Sequence, residues 1–476
     1  MTGPSGAPAG ARVFGAIDIG ASGGRVMAGV LTDGRPELHT VHRFGNRAVR
    51  TPDGLRWDWS RLVAEVEQGL GSLAEAYPQT ESIGIDTWAI DYGLLDAEDR
   101  LLADPMSYRD DRGPRAVPEL DARIDRQQQY AINGLQHLPF TTGYQLAAER
   151  SGPLWPRAAR IVLLPDLLAH HLTGVLRTEA TNASTTGLVD VHTGDWSAEM
   201  LAALDIPAGM LPPIDQPGEV RGRLRPELAE RWGFDAVVVT TVGSHDTASA
   251  VVGVPASSRN VAYASSGTWS LVGVELDEPV LTEASRDANF TNERGVDGRI
   301  RYLRNVGGLW LLQECLRAWD AEADQAALLA AAAEVAPGGP LIDVDDEEFI
   351  APDGMPERIA AALRRAGAPV PQDRAGLVRC ILDSLAAAYA NTASRAAELA
   401  GRRIEAIHLV GGGSQNELLC RLVAQAAGLP VIAGPVEATA LGNVLVQARA
   451  HGAAPTTLEE LRRRLATSQE LRRYCP

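Results

Sequence analysis

Apolar residues in this chain gather in short runs, and the glycine-rich breaks between the runs hold most of the chemically useful side chains. Val13–Ile19 and Val26–Leu31 flank Gly20-Ala-Ser-Gly-Gly24, a pattern that predicts a β-hairpin with a glycine-rich tip. The pattern returns at Val261–Glu275, with Ser265, Ser266, Gly267 and Thr268 at the tip. Each hairpin opens one half of the chain, which predicts a duplicated domain. The β-branched run Val237–Val242 predicts a buried strand, broken at Gly243, with Ser244 as N-cap of the next helix. Ala248, Val251 and Val252 then recur at helical spacing. A strand region at Glu81–Leu95 is interrupted by Asp86 and Asp91. Ile404–Val410 predicts another buried strand, which ends in Gly411–Gly413 before a helix starting at Ser414 or Asn416. An amphipathic helix is expected over Gly307–Arg317, with Asn305 just before it, and an alanine-rich packing helix near Ala326–Ala336. A strand at Val431–Gly434 leads into a helix at Glu437–Val446 with Gly442 at a close contact. Gly134–Gln145 reads as a lid or pocket wall, and Pro255–Asn260 as a connector between domains.

Asp246 falls at a strand-to-helix junction, where open α/β sheets place their chemistry. It is either a general base or a helix cap. The first hairpin tip is either an ordinary turn or an anion cradle in which Ser22 and Arg25 add donors to backbone N–H groups. Asp18, at the end of the first arm, is placed to hold a divalent cation through water. Trp88 supplies either a face for a sugar ring or core packing. The acidic run Asp343–Glu348 is read as a solvated loop in preference to a metal site.

A chain of 476 residues exceeds one ordinary core, so two or three domains are expected. A formal charge of −17 argues against nucleic acid as a partner. All 44 basic residues are arginine, which excludes a P-loop lysine, a protein-kinase lysine and Schiff-base chemistry. The four cysteines are scattered, with no C-x-x-C pair, so reduced thiols in a cytoplasmic protein are expected. No apolar stretch is long enough for a bilayer span.

Ile17–Val26, Ile83–Trp88, Leu138–Phe140, Ser244–Ala250, Ser265–Leu271, Gly308–Gln313 and Val410–Gly413, taken in order, resemble the FGGY carbohydrate kinases. The resemblance runs from about Phe14 to Gly452 and is nearest to the family's L-rhamnulose-phosphorylating members. It implies an α/β fold of two duplicated ribonuclease H-like, actin-like ATPase domains with a cleft between them. The implied division is a flexible tail over 1–11, a sugar-binding domain over 12–256, a nucleotide-binding domain over 257–452 and a peripheral segment over 453–476. It implies ATP and Mg²⁺ as cofactors, a small ketose as substrate, no nucleic acid or membrane partner, and a monomer or homodimer.

Residue by residue, the resemblance makes Asp246 the base that takes the proton from the C1 hydroxyl of L-rhamnulose. Trp88, Ala89, His245, Thr247 and Asn305 would contact the sugar. Ala21, Ser22, Gly23, Gly24 and Arg25 would cradle phosphates, Thr268, Gln313 and Gly412 would contact nucleotide, and Asp18 would position Mg²⁺ indirectly. Two positions depart from the family pattern. Ala89 replaces a glycine, which adds a methyl where backbone approaches the sugar. Gly23 replaces a serine at the hairpin tip, which removes one hydroxyl. The remaining readings are a kinase for fuculose, xylulose, ribulose or a polyol, and a non-catalytic sugar sensor. A sensor is expected to lose Asp246 or a hairpin tip, and both are present.

Overall fold

The computed structural model describes residues 7–321 and 324–476, so the first six residues of the expected tail lie outside the described residues. The chain forms two compact units. The first comprises residues up to Ser257 together with Leu276–Tyr302 and Ala438–Ser468, and the second holds Ser258–Glu275, Leu303–Glu437 and Gln469–Pro476.

Six strands make the sheet of the first unit: β1 (Arg12–Ile19), β2 (Gly23–Thr32), β3 (Arg35–Gly45), β4 (Thr80–Thr87), β5 (Val220–Arg223) and β6 (Val238–Thr240). Their order is β5-β6-β4-β1-β2-β3. The hairpin strands β1 and β2 are antiparallel, β4 runs parallel to β1, β6 parallel to β4, and β5 antiparallel to β6. The second unit repeats this plan with β7 (Val261–Ser266), β8 (Trp269–Leu276), β9 (Ile300–Gly307), β10 (Ala406–Val410), β11 (Val431–Ala433) and β12 (Arg472–Tyr474). These are six of the seven strands of its sheet, in the order β9-β8-β7-β10-β11-β12, again a hairpin, two parallel additions and an antiparallel edge. Matching strand orders built on matching hairpins are the duplication that the two glycine tips predicted, and the fold is the α/β, ribonuclease H-like pair.

The helices that matter to the site are α1 (Trp59–Ala76), α2 (Asp246–Val252), α3 (Trp310–Ala318), α4 (Arg374–Leu399), α5 (Glu417–Ala427) and α6 (Ala438–Ala450). Asp58 caps α1 by accepting from Arg61 N, and Leu62, Val66, Leu70 and Leu73 bury one stripe of it. The alanine-rich helix is observed at Gln325–Ala333.

The compact units do not follow the chain linearly. Helix α6 packs in the first unit, although it follows most of the second unit in sequence. Its Ala440, Val444 and Ala448 join Phe14, Ala16, Met27 and Leu31 in one buried cluster. Glycine makes this approach possible: a Cβ on Gly253 would lie 2.4 Å from Ala438 O. Residues 453–476 are not merely peripheral either. Leu458, Leu461 and Leu465 are buried in the first unit, whereas Arg472–Tyr474 forms the edge strand β12 of the second.

Candidate active site

The hairpin of the first unit ends as its sequence requires. Gly20 N donates to Gly23 O at 2.8 Å, and the tip is braced from outside by Asn46, whose N donates to Ser22 O and whose Nδ2 donates to Gly20 O. A Cβ on Gly24 would lie 2.3 Å from the Phe44 ring, so this position admits no side chain. Just inside the tip, register aligns Arg25, Asp18 and Asp86 across β2, β1 and β4. Arg25 Nε donates to Asp18 Oδ2 at 3.0 Å. Asp86 is fully buried and accepts from Asn443 Nδ2 at 2.6 Å. Asn443 Oδ1 in turn accepts from Gln447 Nε2, and Gln447 Oε1 from Ser82 Oγ. Burial, and then Asp18, push the Asp86 carboxyl well above the usual range against the pull of Asn443.

The turn that carries Asp246 is fastened to the ends of these strands. Thr87 N donates to Ser244 O, Thr87 and His245 form a parallel bridge, and Trp88 N donates to Ile19 O. The expected capping by Ser244 does not occur. The helix is capped at His245 with no side-chain bond, because Ser244 Oγ and N both donate to buried Glu179 at 2.7 and 3.0 Å. Glu179 also accepts from Thr181 and Asn182, so one carboxylate organises two turns.

Asp246 is the first residue of α2, and its side chain keeps 31% of its accessible surface. Thr247 Oγ1 donates to its Oδ1 at 3.1 Å, and His245 Nε2 lies 3.5 Å from the same oxygen. Desolvation holds the Asp246 carboxyl above the usual range, with Asp18 adding to the shift and His245 and Thr247 opposing it. A carboxylate tuned upward yet open on one side has the character of a general base. Behind it stand two residues that the sequence reading missed. Glu293 and Arg301 pair at 3.0 Å, and both approach His245 Nδ1.

Trp88 is buried, with its ring 4.4 Å from that of Trp57, and its Nε1 donates to Asp91 Oδ2 at 2.9 Å. Asp91, which also accepts from Trp57 and Gln145, is raised to about 6, chiefly by burial. Between them Ala89 and Ile90 form a γ-turn, with Asp91 N donating to Ala89 O and Ile90 at φ +69°. A β-branched residue rarely adopts that conformation, and here Thr142 Oγ1 and Gln145 Nε2 hold it by donating to Ile90 O. Thr142 and Gln145 belong to the helix Thr142–Glu149, at the end of the stretch read as a pocket wall.

The second unit holds Thr268, Asn305, Gln313 and Gly412. Thr268 lies at the tip between β7 and β8, where Leu309 N donates to Gly267 O and Trp310 N to Thr268 O. A Cβ on Gly308 would lie 2.4 Å from Thr268 O, so the start of α3 and this tip are pressed together. Asn305 is in β9, before the helix as expected, and Gln313 is exposed on α3. Gly411 and Gly413 pack on Ser266, whereas a Cβ on Gly412 would meet nothing within 4 Å. That open backbone lies between β10 and α5, which is capped by Asn416. The acidic run is not wholly solvated: Asp345 turns inward, accepting from Gly307 N and pairing with Arg304.

Among the described residues, no three His, Cys, Asp or Glu side chains form a direct metal cage. The carboxylates of Asp18, Asp86 and Asp246 nevertheless interact electrostatically, and oxygen donors of this kind suit Mg²⁺ held through its waters. No helix among the described residues is long and apolar enough to cross a membrane.

Residues 13–253 match the N-terminal domain of the FGGY family of carbohydrate kinases, and residues 262–451 match its C-terminal domain. Among curated proteins, the rhamnulokinase of Bacteroides thetaiotaomicron is 39% identical over 465 residues, covering 97% of this chain and 96% of that protein. The rhamnulokinase of Oceanobacillus iheyensis is 41% identical over 434 residues, covering 91% and 92%. A ligand-bound xylulose kinase from Lactobacillus acidophilus superposes with a TM-score of 0.77 at 17% identity, covering 98% of this chain and 94% of that one. Plasmodium falciparum glycerol kinase with ADP gives 0.76 at 16% identity, with the same coverage.

Proposed function

Because this chain belongs to the FGGY family of carbohydrate kinases, we propose that it transfers the γ-phosphoryl group of ATP to the C1 hydroxyl of L-rhamnulose. The products are L-rhamnulose 1-phosphate and ADP. The observation that carries this reading is the full-length similarity to rhamnulokinases, in a chain whose Asp246 has the setting of a general base.

In this reading Asp246 accepts the C1 hydroxyl proton as the sugar oxygen forms its bond to the γ-phosphorus and the bond to the ADP oxygen breaks. His245, Thr247, Trp88, Ala89 and Asn305 orient the sugar. Ala21, Ser22, Gly23, Gly24 and Arg25 bind phosphate oxygens, with Arg25 supplying a positive charge in a lysine-free chain. Thr268, Gln313 and Gly412 receive the nucleotide, and the absence of any side chain on Gly412 leaves backbone open to it. Asp18 would hold Mg²⁺ indirectly, and the ion would supply charge neutralisation at the phosphates.

Ala89 favours one competing reading, a kinase for another ketose such as fuculose, xylulose or ribulose, because its methyl occupies the position where the family pattern has glycine. The deciding experiment measures ADP release from Mg·ATP across a ketose panel, with Asp246→Asn in parallel. The highest kcat/KM for L-rhamnulose, with a nearly silent variant, is the expected result. A different preferred ketose refutes the substrate, and stimulation by no sugar refutes the kinase.

A further inference from the structure

His245 Nδ1 has two suitors. Arg301 Nη2 lies 3.0 Å from it in hydrogen-bonding geometry, and Glu293 Oε2 lies 3.5 Å away. A guanidinium has only donors, so a nitrogen bonded to it must offer a lone pair. The 3.5 Å separation from Glu293 is long for a hydrogen bond. The single proton of the ring therefore belongs on Nε2, the nitrogen that faces Asp246 Oδ1.

We propose that Glu293 and Arg301 are positioning residues that fix His245 in its Nε2–H tautomer, making it a hydrogen-bond donor beside Asp246. This inference rests on the reading of Asp246 as the base.

Burial gives the arrangement its stiffness. The Arg301 side chain is wholly inaccessible and that of Glu293 is 6% exposed, so neither can satisfy itself with water. Arg301 is further anchored by donation from its Nε to Arg294 O at 3.0 Å. Burial opposes the charge on Glu293, but the Arg301 guanidinium, foremost among its partners, holds its carboxyl below the usual range. The two ionised groups then cancel, and the pair delivers direction to the imidazole without delivering net charge to the site. With Nδ1 accepting from Arg301, the ring presents Nε2–H beside Asp246 Oδ1, at the place where Asp246 takes a proton from the sugar.

The test reads the tautomer directly. The protein is labelled with ¹⁵N-histidine, and long-range ¹H–¹⁵N spectra are recorded at neutral pH without substrate, with His245→Asn identifying the His245 signals among the nine histidines. An unprotonated Nδ1 and a protonated Nε2 are expected, and a protonated Nδ1 overturns the proposal. The double variant Glu293→Gln/Arg301→Met removes donor and counter-charge together. It should lose the fixed tautomer and reduce kcat/KM for the sugar by about 10- to 100-fold with KM for ATP unchanged, the range found when the orienting partner of a metal-bound histidine is removed. Arg301→Lys, which keeps a donor, should recover both. A double variant with unchanged tautomer and kinetics also overturns the proposal. If the tautomer is as expected but no ketose stimulates ADP release, the functional reading fails while the positioning of His245 stands.

Discussion

Gly442 lies against Ser249 so closely that a Cβ built on it would be 1.8 Å from the Ser249 carbonyl oxygen. Ser249 is in α2, the short helix that starts at Asp246, so the contact sets where the carboxylate stands. Gly442→Ala forces α6 and α2 apart. Overpacking of this kind costs about 1–3 kcal/mol, and a displacement near 1 Å at the base costs on the order of 100-fold in rate. Urea unfolding together with kcat measures both effects, and a variant of native stability and rate would contradict the contact.

Thr247→Val removes the hydroxyl that donates to Asp246 Oδ1. That bond stabilises the ionised form, so its loss raises the carboxyl further from a position already above the ordinary range. A base must be deprotonated to act, so the acid limb of kcat/KM should move to higher pH. A pH–rate profile with the limb unmoved, or moved to lower pH, counts against Asp246 as the titrating base.

Asp91→Asn turns one of two acceptor oxygens into an NH₂, which then faces either the Trp57 and Trp88 donors on Oδ2 or the Gln145 donor on Oδ1. Loss of this buried acceptor should destabilise the protein by about 1–3 kcal/mol and raise KM for the sugar more than KM for ATP. The linkage has a definite sign. A folded value of about 6, above the unfolded one, means that the proton on Asp91 adds stability that is full below the unfolded value and lost as pH rises through 6. The stability advantage of wild type over the variant should therefore be larger at pH 4 than at pH 7, as read by denaturant melts at each.

In the second unit, Gly308→Ala drives a methyl into Thr268 O and displaces the tip read as nucleotide-contacting. KM for ATP should rise by about tenfold or more, with KM for the sugar little altered. Isothermal titration with ADP provides a second readout, and unchanged ADP affinity would remove Thr268 from the nucleotide contacts.

Much of this site was legible because its signals are local. The glycine tips between apolar arms, the triple glycine after a buried strand and the carboxylate at a helix start each depend on neighbours in sequence. Gly442 was marked as a close contact for the same reason. What escaped the sequence depends on distant partners. Ser244 has the composition of an N-cap, but Glu179, 65 residues away, takes both of its donors. Glu293 and Arg301 lie on an unremarkable polar stretch, and only folding brings them to His245. Trp88 presented two readings, and its tilted contact with the Trp57 ring supports packing of the ring without addressing the sugar. The strained turn at Ile90 carries no local signature at all, since nothing in Trp88–Asp91 names the donors that hold it.

Gln447 donates to Gly15 O across a separation of 432 residues, within the face of the first sheet that α6 covers. A ribosome delivers the strands first and their cover last. At roughly 5–20 residues per second, Phe14, Met27 and Leu31 wait on the order of tens of seconds for Ala440 and Val444 to emerge. The nascent chain thus carries this apolar face uncovered until α6 has been made, and the first unit matures only then. Birth order therefore makes the first unit, although its strands emerge early, dependent on a helix made after much of the second unit.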